Sequence, residues 1–198
     1  GAGSHEILGF LPDMSGGLDD VEAARAMLKT LIPSGPVPGE ELLDITDVDD
    51  PKVRVYRPKN ATGDLPGVLY LHGGGFCLGD VDMEHGGAVQ IANEIQAVVV
   101  SVDYRLAPEH PYPAGLDDCY AALVHLAGME GVDARRLVVH GQSSGRGLAA
   151  SNVLNAHALG GAAVGFPPLG ILAPADRPEA VSRTPFPSPP LSARARAV

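Results

Sequence analysis

Short apolar runs alternate with helix-length stretches through the middle of this chain, and that alternation constrains its fold more than any other feature of the sequence. GVLYL at 67–71, AVVVSV at 97–102 and RLVVH at 136–140 are β-rich runs, and helical spacing appears near 84–96, near 116–127 and after Ser143. Apolar runs of this length fit strands buried on both faces. The order strand, helix, strand, helix therefore predicts an α/β fold, a mostly parallel sheet covered on both sides. The first helix carries Ala88, Ile91, Ala92 and Ile95 at helical spacing, and the second carries Cys119, Tyr120, Leu123 and Leu126, so each offers the sheet one apolar stripe. KVRVYRP, with Val53 and Val55 on one face, predicts a further strand upstream. There is no internal repeat.

The two ends read differently. GAGSH has the look of a tag remnant, and His5 carries no functional weight. The spacing of Leu18, Val21, Ala24, Leu28 and Leu31 predicts an amphipathic helix over 18–31, with Ser15 as N-cap and Asp19 and Asp20 in its first turn. IPSGPVPGE then reads as a linker. Past Gly165 the run AVGFPPLGILAP stands where the next core strand belongs, but Pro167 and Pro168 lack the N–H that a central strand donates. The Pro- and Arg-rich end cannot bury enough surface to fold alone. These signals divide the chain into an N-terminal segment at 1–45, a core at 46–180 and an irregular tail at 181–198.

Composition excludes several classes of partner. With 14 Lys and Arg against 24 Asp and Glu, the net charge of −10 opposes binding to nucleic acid or to anionic lipid and leaves small molecules as the expected ligands. No stretch reaches the roughly 18 apolar residues that cross a bilayer, and the N-terminus lacks the pattern of a signal peptide, so the reading is cytoplasmic. Cys77 and Cys119 have no CxxC partner and no His cluster nearby, which predicts reduced structural thiols and no metal site.

Three motifs carry chemistry. In GQSSG, 141–145, a β run leads straight into Ser143 and a small-residue helix leads straight out, the strand–turn–helix context of a nucleophile elbow. The helix N-terminus adds positive potential where an oxyanion would form. HGGGF, 72–76, follows VLYL; three consecutive glycines let backbone N–H groups point into a site. It is not a phosphate loop, because neither GxGxxG nor GK[ST] is present. DYRLAPEHPYPA, 103–114, sets charges among prolines and predicts an ordered structural loop held by Arg105 with Asp103 or Glu109. His85 and His110 are expected to be satisfied side chains without a catalytic role.

HGGGF, DYRLAPEHPYPA and GQSSGRGLAA, in this order and spacing, resemble the hormone-sensitive-lipase type of α/β-hydrolase, which includes bacterial carboxylesterases. The likeness covers about residues 40–165, and the N-terminal helix matches the family's cap segment in position. It implies the α/β-hydrolase three-layer sandwich and a carboxylic ester hydrolase acting on small-molecule esters without cofactor or metal. Ser143 would be the nucleophile, the N–H groups of Gly74, Gly75 and Ser144 would form the oxyanion hole, and Phe76 would contact substrate. Arg146 stands where the family usually has Gly and is expected to crowd the first turn of the nucleophile helix; Gln142 replaces a frequent Asp.

The resemblance also implies further C-terminal strands, a triad acid and a triad His that this sequence does not show. His157 lies fourteen positions past Ser143, roughly 20 Å along one helix, and Asp176 and Glu179 match no triad position. A sheet without those strands exposes an edge, inviting pairing with another chain, a homo-oligomer included. The alternatives are therefore a non-catalytic binding module on the same fold or an inactive truncated product.

Overall fold

The computed structural model describes residues 20–32 and 35–158. The chain divides into two compact units, 1–33 and 34–198. Within the first, α1 (Val21–Leu31) ends where its apolar spacing predicts but starts at Val21, three residues after the expected start at Leu18. Asp20, expected in the first turn, is instead the N-cap: its backbone is non-helical and its carboxylate accepts the N–H of Ala23 at 2.9 Å. Ser15 and Leu18 lie outside the described residues, as do the run around Pro167 and Pro168, Asp176, Glu179 and the tail.

The second unit contains β1 (Leu43–Asp49), β2 (Lys52–Pro58), β3 (Leu65–Leu71), α2 (His85–Ile95), β4 (Val98–Val102), α3 (Ala114–Gly128), β5 (Val132–Gly141) and α4 (Ser144–Ala158). The strands form one sheet in the order β1-β2-β4-β3-β5. Ladders β4–β3 and β3–β5 are parallel, as the alternation predicts, whereas β1–β2 and β2–β4 are antiparallel, so the described sheet is mixed. The extra antiparallel ladder comes from β1, which the sequence pattern did not signal. Leu43 and Ile45 face one side of the sheet and Val48 the other, so the period-two signal slips within a single strand.

Crossover handedness explains the layers. From β3 through α2 the chain moves to β4 on one side, and from β4 through α3 it returns past β3 to β5 on the other. Right-handed crossovers in opposite directions place their helices on opposite faces. Accordingly, Ala88, Val89 and Ala92 of α2 pack with Leu43, Tyr56, Val68, Tyr70 and Val99 on one face. Leu116, Cys119, Ala122, Leu123 and Leu126 of α3, with Leu148 of α4, pack with Val53, Val55, Leu69, Leu71, Val98, Val100 and Val102 on the other. The α2 stripe differs from expectation at its end: Val89 is buried and Ile95, the helix's last residue, is exposed. Neither Cys77 nor Cys119 is in a disulfide, and complete burial pushes the Cys119 thiol well up. None of the described helices is long and apolar enough to cross a membrane.

This topology fixes where a ligand can sit. β3 and β5 are neighbours whose following helices, α2 and α4, lie on opposite faces, so a crevice opens beyond their carboxyl ends, the usual ligand position in open α/β sheets. HGGGF leaves β3 at that point, and GQSSG leaves β5 beside it.

Candidate active site

The chain passes from β5 to α4 through Gln142 and Ser143 alone. Ser143 takes φ +46°, in the left-handed region, which costs a residue with a Cβ about 1–2 kcal/mol. Two glycines make so tight a turn possible. A Cβ on Gly141 would strike the carbonyl of Gly145, and one on Gly145 would strike Leu71 O and lie 2.6 Å from His72 O. The turn closes through the N–H of Gly145 to Gln142 O at 2.7 Å and that of Arg146 to Ser143 O at 3.1 Å. Ser143 is exposed at the elbow.

The glycine loop packs directly against it: a Cβ on Gly73 would lie 3.3 Å from that of Ser143. Gly74 and Gly75 have φ +117° and +62°, and the Gly74 carbonyl accepts from Cys77 N at 3.1 Å and Leu78 N at 2.9 Å, closing a turn that a Cβ on Gly74 would block against Leu78 O. Gly75 N–H donates to the Oγ of Ser144 at 3.0 Å, linking the loop to the first residue of α4. Phe76, itself at φ +66°, is exposed, and its ring end lies 3.8 Å from where a Cβ on Gly147 would sit. Ser143, Ser144, Gly74, Gly75 and Phe76 are thus gathered at one crevice. Arg146, expected to crowd the first turn, is exposed.

Two residues without an assigned role brace this loop from beneath. His72 is fully buried, and its ring stacks on Tyr104 with centroids 4.0 Å apart and planes 7° from parallel. Tyr104 Oη donates to His72 O at 2.8 Å. His72 Nδ1 lies 2.7 Å from Gly73 O, which can only accept, so the proton sits on Nδ1. Nε2 is then bare, buried and without a partner among the described residues, and burial lowers the ring's pKa, keeping it neutral. Position within HGGGF was the available signal for His72. Position within DYRLAPEHPYPA was the corresponding signal for Tyr104, but its bracing role depends on the fold bringing β4 beside β3.

The loop 103–114 is structural, as expected, but its ion pairs differ. Arg105 grips Asp118 of α3, with Nε 2.8 Å from Oδ2 and Nη2 2.8 Å from Oδ1, while its backbone N–H donates to the same carboxylate at 2.9 Å. Asp103 pairs with Lys52 at 2.6 Å. Sequence proximity suggested nearer acids; the start of α3 supplies a carboxylate that meets both the guanidinium and the backbone. Phe76 O accepts the N–H of Ala107 at 2.9 Å, tying this loop to the glycine loop. A cleft of about 700 Å³ near the β1–β2 turn and α3 contains none of the elbow or glycine-loop residues, and both its cations, Lys52 and Arg105, are the ones already paired.

His85 lies between Tyr56 Oη at 3.0 Å and Glu40 Oε2 at 3.4 Å, satisfied as predicted. Among the described residues, no histidine is hydrogen-bonded to Ser143. His157 falls near the far end of α4, its side chain outside the described residues.

A family model described as alpha/beta hydrolase fold matches residues 68–188, more than half of the chain and further than the three motifs reach. The chain belongs to the α/β-hydrolase family. Carboxylesterase NlhH of Mycobacterium tuberculosis is 44% identical over 151 residues, covering 72% of this chain and 47% of that protein. Esterase LipI of the same organism is 42% identical over 158 residues, covering 75% and 49%. Among solved structures, a bacterial heroin esterase superposes with a TM-score of 0.69 at 34% identity, over 79% of this chain and 52% of that one. A hyperthermophilic esterase from the archaeon Pyrobaculum calidifontis gives 0.63 at 34% identity, over 74% and 51%. The chain therefore spans about half the length of the curated relatives it matches. These esterase relatives support the hormone-sensitive-lipase type of membership that the motifs suggested.

Proposed function

We propose that this chain supplies the nucleophile and oxyanion-binding half of a serine carboxylic ester hydrolase acting on small-molecule esters. The observation that carries the reading is Ser143 at φ +46°, exposed on a strand-to-helix turn and packed against a loop whose Gly74 and Gly75 are also left-handed. Ser143 Oγ attacks the ester carbonyl, and its proton passes to a base from outside the described residues. The tetrahedral oxygen takes hydrogen bonds from the N–H groups of Gly74, Gly75 and Ser144, with the start of α4 adding positive potential. Collapse expels the alcohol and leaves an acyl group on Ser143; water then attacks the acyl carbonyl and releases the acid. Phe76, exposed beside the first turn of α4, contacts the acyl or alcohol portion.

Incubating the full chain with a fluorophosphonate probe tests this. The expected result is a single adduct mapped to Ser143 and absent in Ser143→Ala. No adduct, under conditions that label a carboxylesterase relative, overturns the reading and favours the non-catalytic binding module.

A further inference from the structure

Behind the elbow, on the α2 face, three side chains close a hydrogen-bonded triangle that the reaction scheme leaves unused. Gln142 Nε2 donates to Tyr70 Oη at 2.8 Å and to Glu84 Oε2 at 2.9 Å, and Tyr70 Oη donates to the same carboxylate oxygen at 2.9 Å. Both N–H groups of the Gln142 amide are thereby used, and its orientation is fixed, because a carboxylate only accepts. Tyr70 is held on its other sides as well. The His140 ring stacks on it with centroids 5.0 Å apart, and a Cβ on Gly87 of α2 would lie 2.6 Å from its hydroxyl, so Gly87 leaves the room the hydroxyl occupies. Burial pushes the phenol far up, so it remains a donor across the working pH range.

The triangle joins the two halves of the site. Gln142 directly precedes Ser143, and its backbone is also pinned, its N–H to Leu71 O at 3.1 Å and its carbonyl to Gly145 N–H. Tyr70 lies two residues before His72, on the strand that launches the glycine loop. Glu84 immediately precedes α2. Holding Ser143 in a left-handed conformation requires neighbours that cannot rotate with it, because the backbone relaxes wherever its surroundings do not over-determine it.

We propose that Glu84 is a positioning residue for the nucleophile: through Gln142 and Tyr70 it sets Ser143 in register with the N–H groups of the glycine loop. This rests on the hydrolase reading for its consequence, though not for its geometry. A nucleophile displaced by about 1 Å loses up to a hundredfold in rate. Partial release by Glu84→Ala is expected to lower kcat on a p-nitrophenyl ester about tenfold while KM stays within about twofold. Glu84→Gln, whose amide oxygen accepts the same donors, should recover most of that loss. Because the residues act as a unit, Glu84→Ala with Gln142→Ala should be no slower than the slower single variant.

The triangle can also be read without turnover. In amide NMR spectra of the full chain, Glu84→Ala should shift the Gln142 side-chain NH2 and the Ser143 backbone resonance, and Glu84→Gln should shift them less. A wild-type chain that takes no fluorophosphonate adduct at Ser143 sinks the hydrolase reading alone, and the spectra then decide the anchor. Unmoved resonances, equal losses in the Ala and Gln variants, or additive losses in the double variant overturn the positioning role.

Discussion

The two faces of the sheet are built from different materials. The α3 and α4 side is a nearly continuous apolar layer of Val and Leu with Cys119 and Ala122, in which Tyr104 turns its hydroxyl toward the glycine loop. The α2 side is smaller and contains Tyr56 and Tyr70, each hydrogen-bonded through its hydroxyl to a group at the start of α2. The first face gains its stability by removing apolar surface from water, which is non-directional. The second sets angles and distances, because hydrogen bonds are directional. The elbow lies between them, so stability and alignment of the site should be separable by substitution.

The largest effect should come from the apolar face. Leu123 is essentially inaccessible in the α3 stripe, and Leu123→Ala should cost about 2–5 kcal/mol through lost transfer energy and the cavity left behind. The denaturation midpoint reports that loss. The rate of Ser143 labelling in the folded fraction should stay within about twofold, since the turn's own bonds are untouched. A labelling rate that fell in step with stability would mean that the two faces are not separable.

Next in size is a charge exchange on the polar face. Gln142→Asp removes two donors and sets a second carboxylate against Glu84, with like charges in contact and partly out of water. Labelling of Ser143 should slow about tenfold, equivalent to ~1.4 kcal/mol. Adding Glu84→Gln restores one donor and one acceptor across the same gap, and recovery to within about threefold is expected. No recovery would show that the amide of Gln142 matters for a reason other than its bond to Glu84.

A smaller effect concerns pH. Burial lowers the pKa of both His72 and the half-buried His140, so each takes up a proton less readily in the folded chain than once unfolded. Between the lowered values and the ordinary value of about 6.5 the unfolded state binds more protons, so stability rises with pH there. The contribution is complete above about pH 6.5 and is lost as pH falls below it. Denaturation midpoints measured from pH 7.5 down to 5 should fall, and His140→Gln should flatten part of the slope. A midpoint that rose on acidification would contradict the burial of these rings.

The same contrast accounts for what could be read from the sequence. Strands β3 and β4 and helix α3 were legible because burial on both faces leaves unbroken apolar runs and one-sided burial leaves a stripe. The elbow and glycine loop were legible because left-handed turns and close backbone approach demand glycine, as at Gly74, Gly141 and Gly145. Polar partnerships were not. Glu84 and Gln142 are 58 residues apart, and Arg105 found Asp118 rather than Asp103 because α3 delivers that carboxylate to the loop. Only the folded topology creates such neighbours, and no local periodicity records them. Strand β1 escaped because its apolar residues change faces within seven positions.

The smallest expected effect lies where the faces meet, at Ser144. Its Oγ accepts the N–H of Gly75, one of the donors the tetrahedral oxygen needs, so in the resting site the hydroxyl occupies that donor. An oxyanion is the stronger acceptor, since hydrogen bonds to charged groups are worth about 1.5–3 kcal/mol against 0.5–1.5 for neutral ones, and it displaces the hydroxyl as the intermediate forms. Ser144→Ala removes the competitor, leaving only water on Gly75, which is exposed. Fluorophosphonate labelling should therefore quicken by up to about threefold, a fraction of one neutral hydrogen bond. A tenfold slowing instead would mean that Ser144 holds the glycine loop in place, moving it from occupant to support and extending the polar alignment network across the sheet onto the helix of the apolar face.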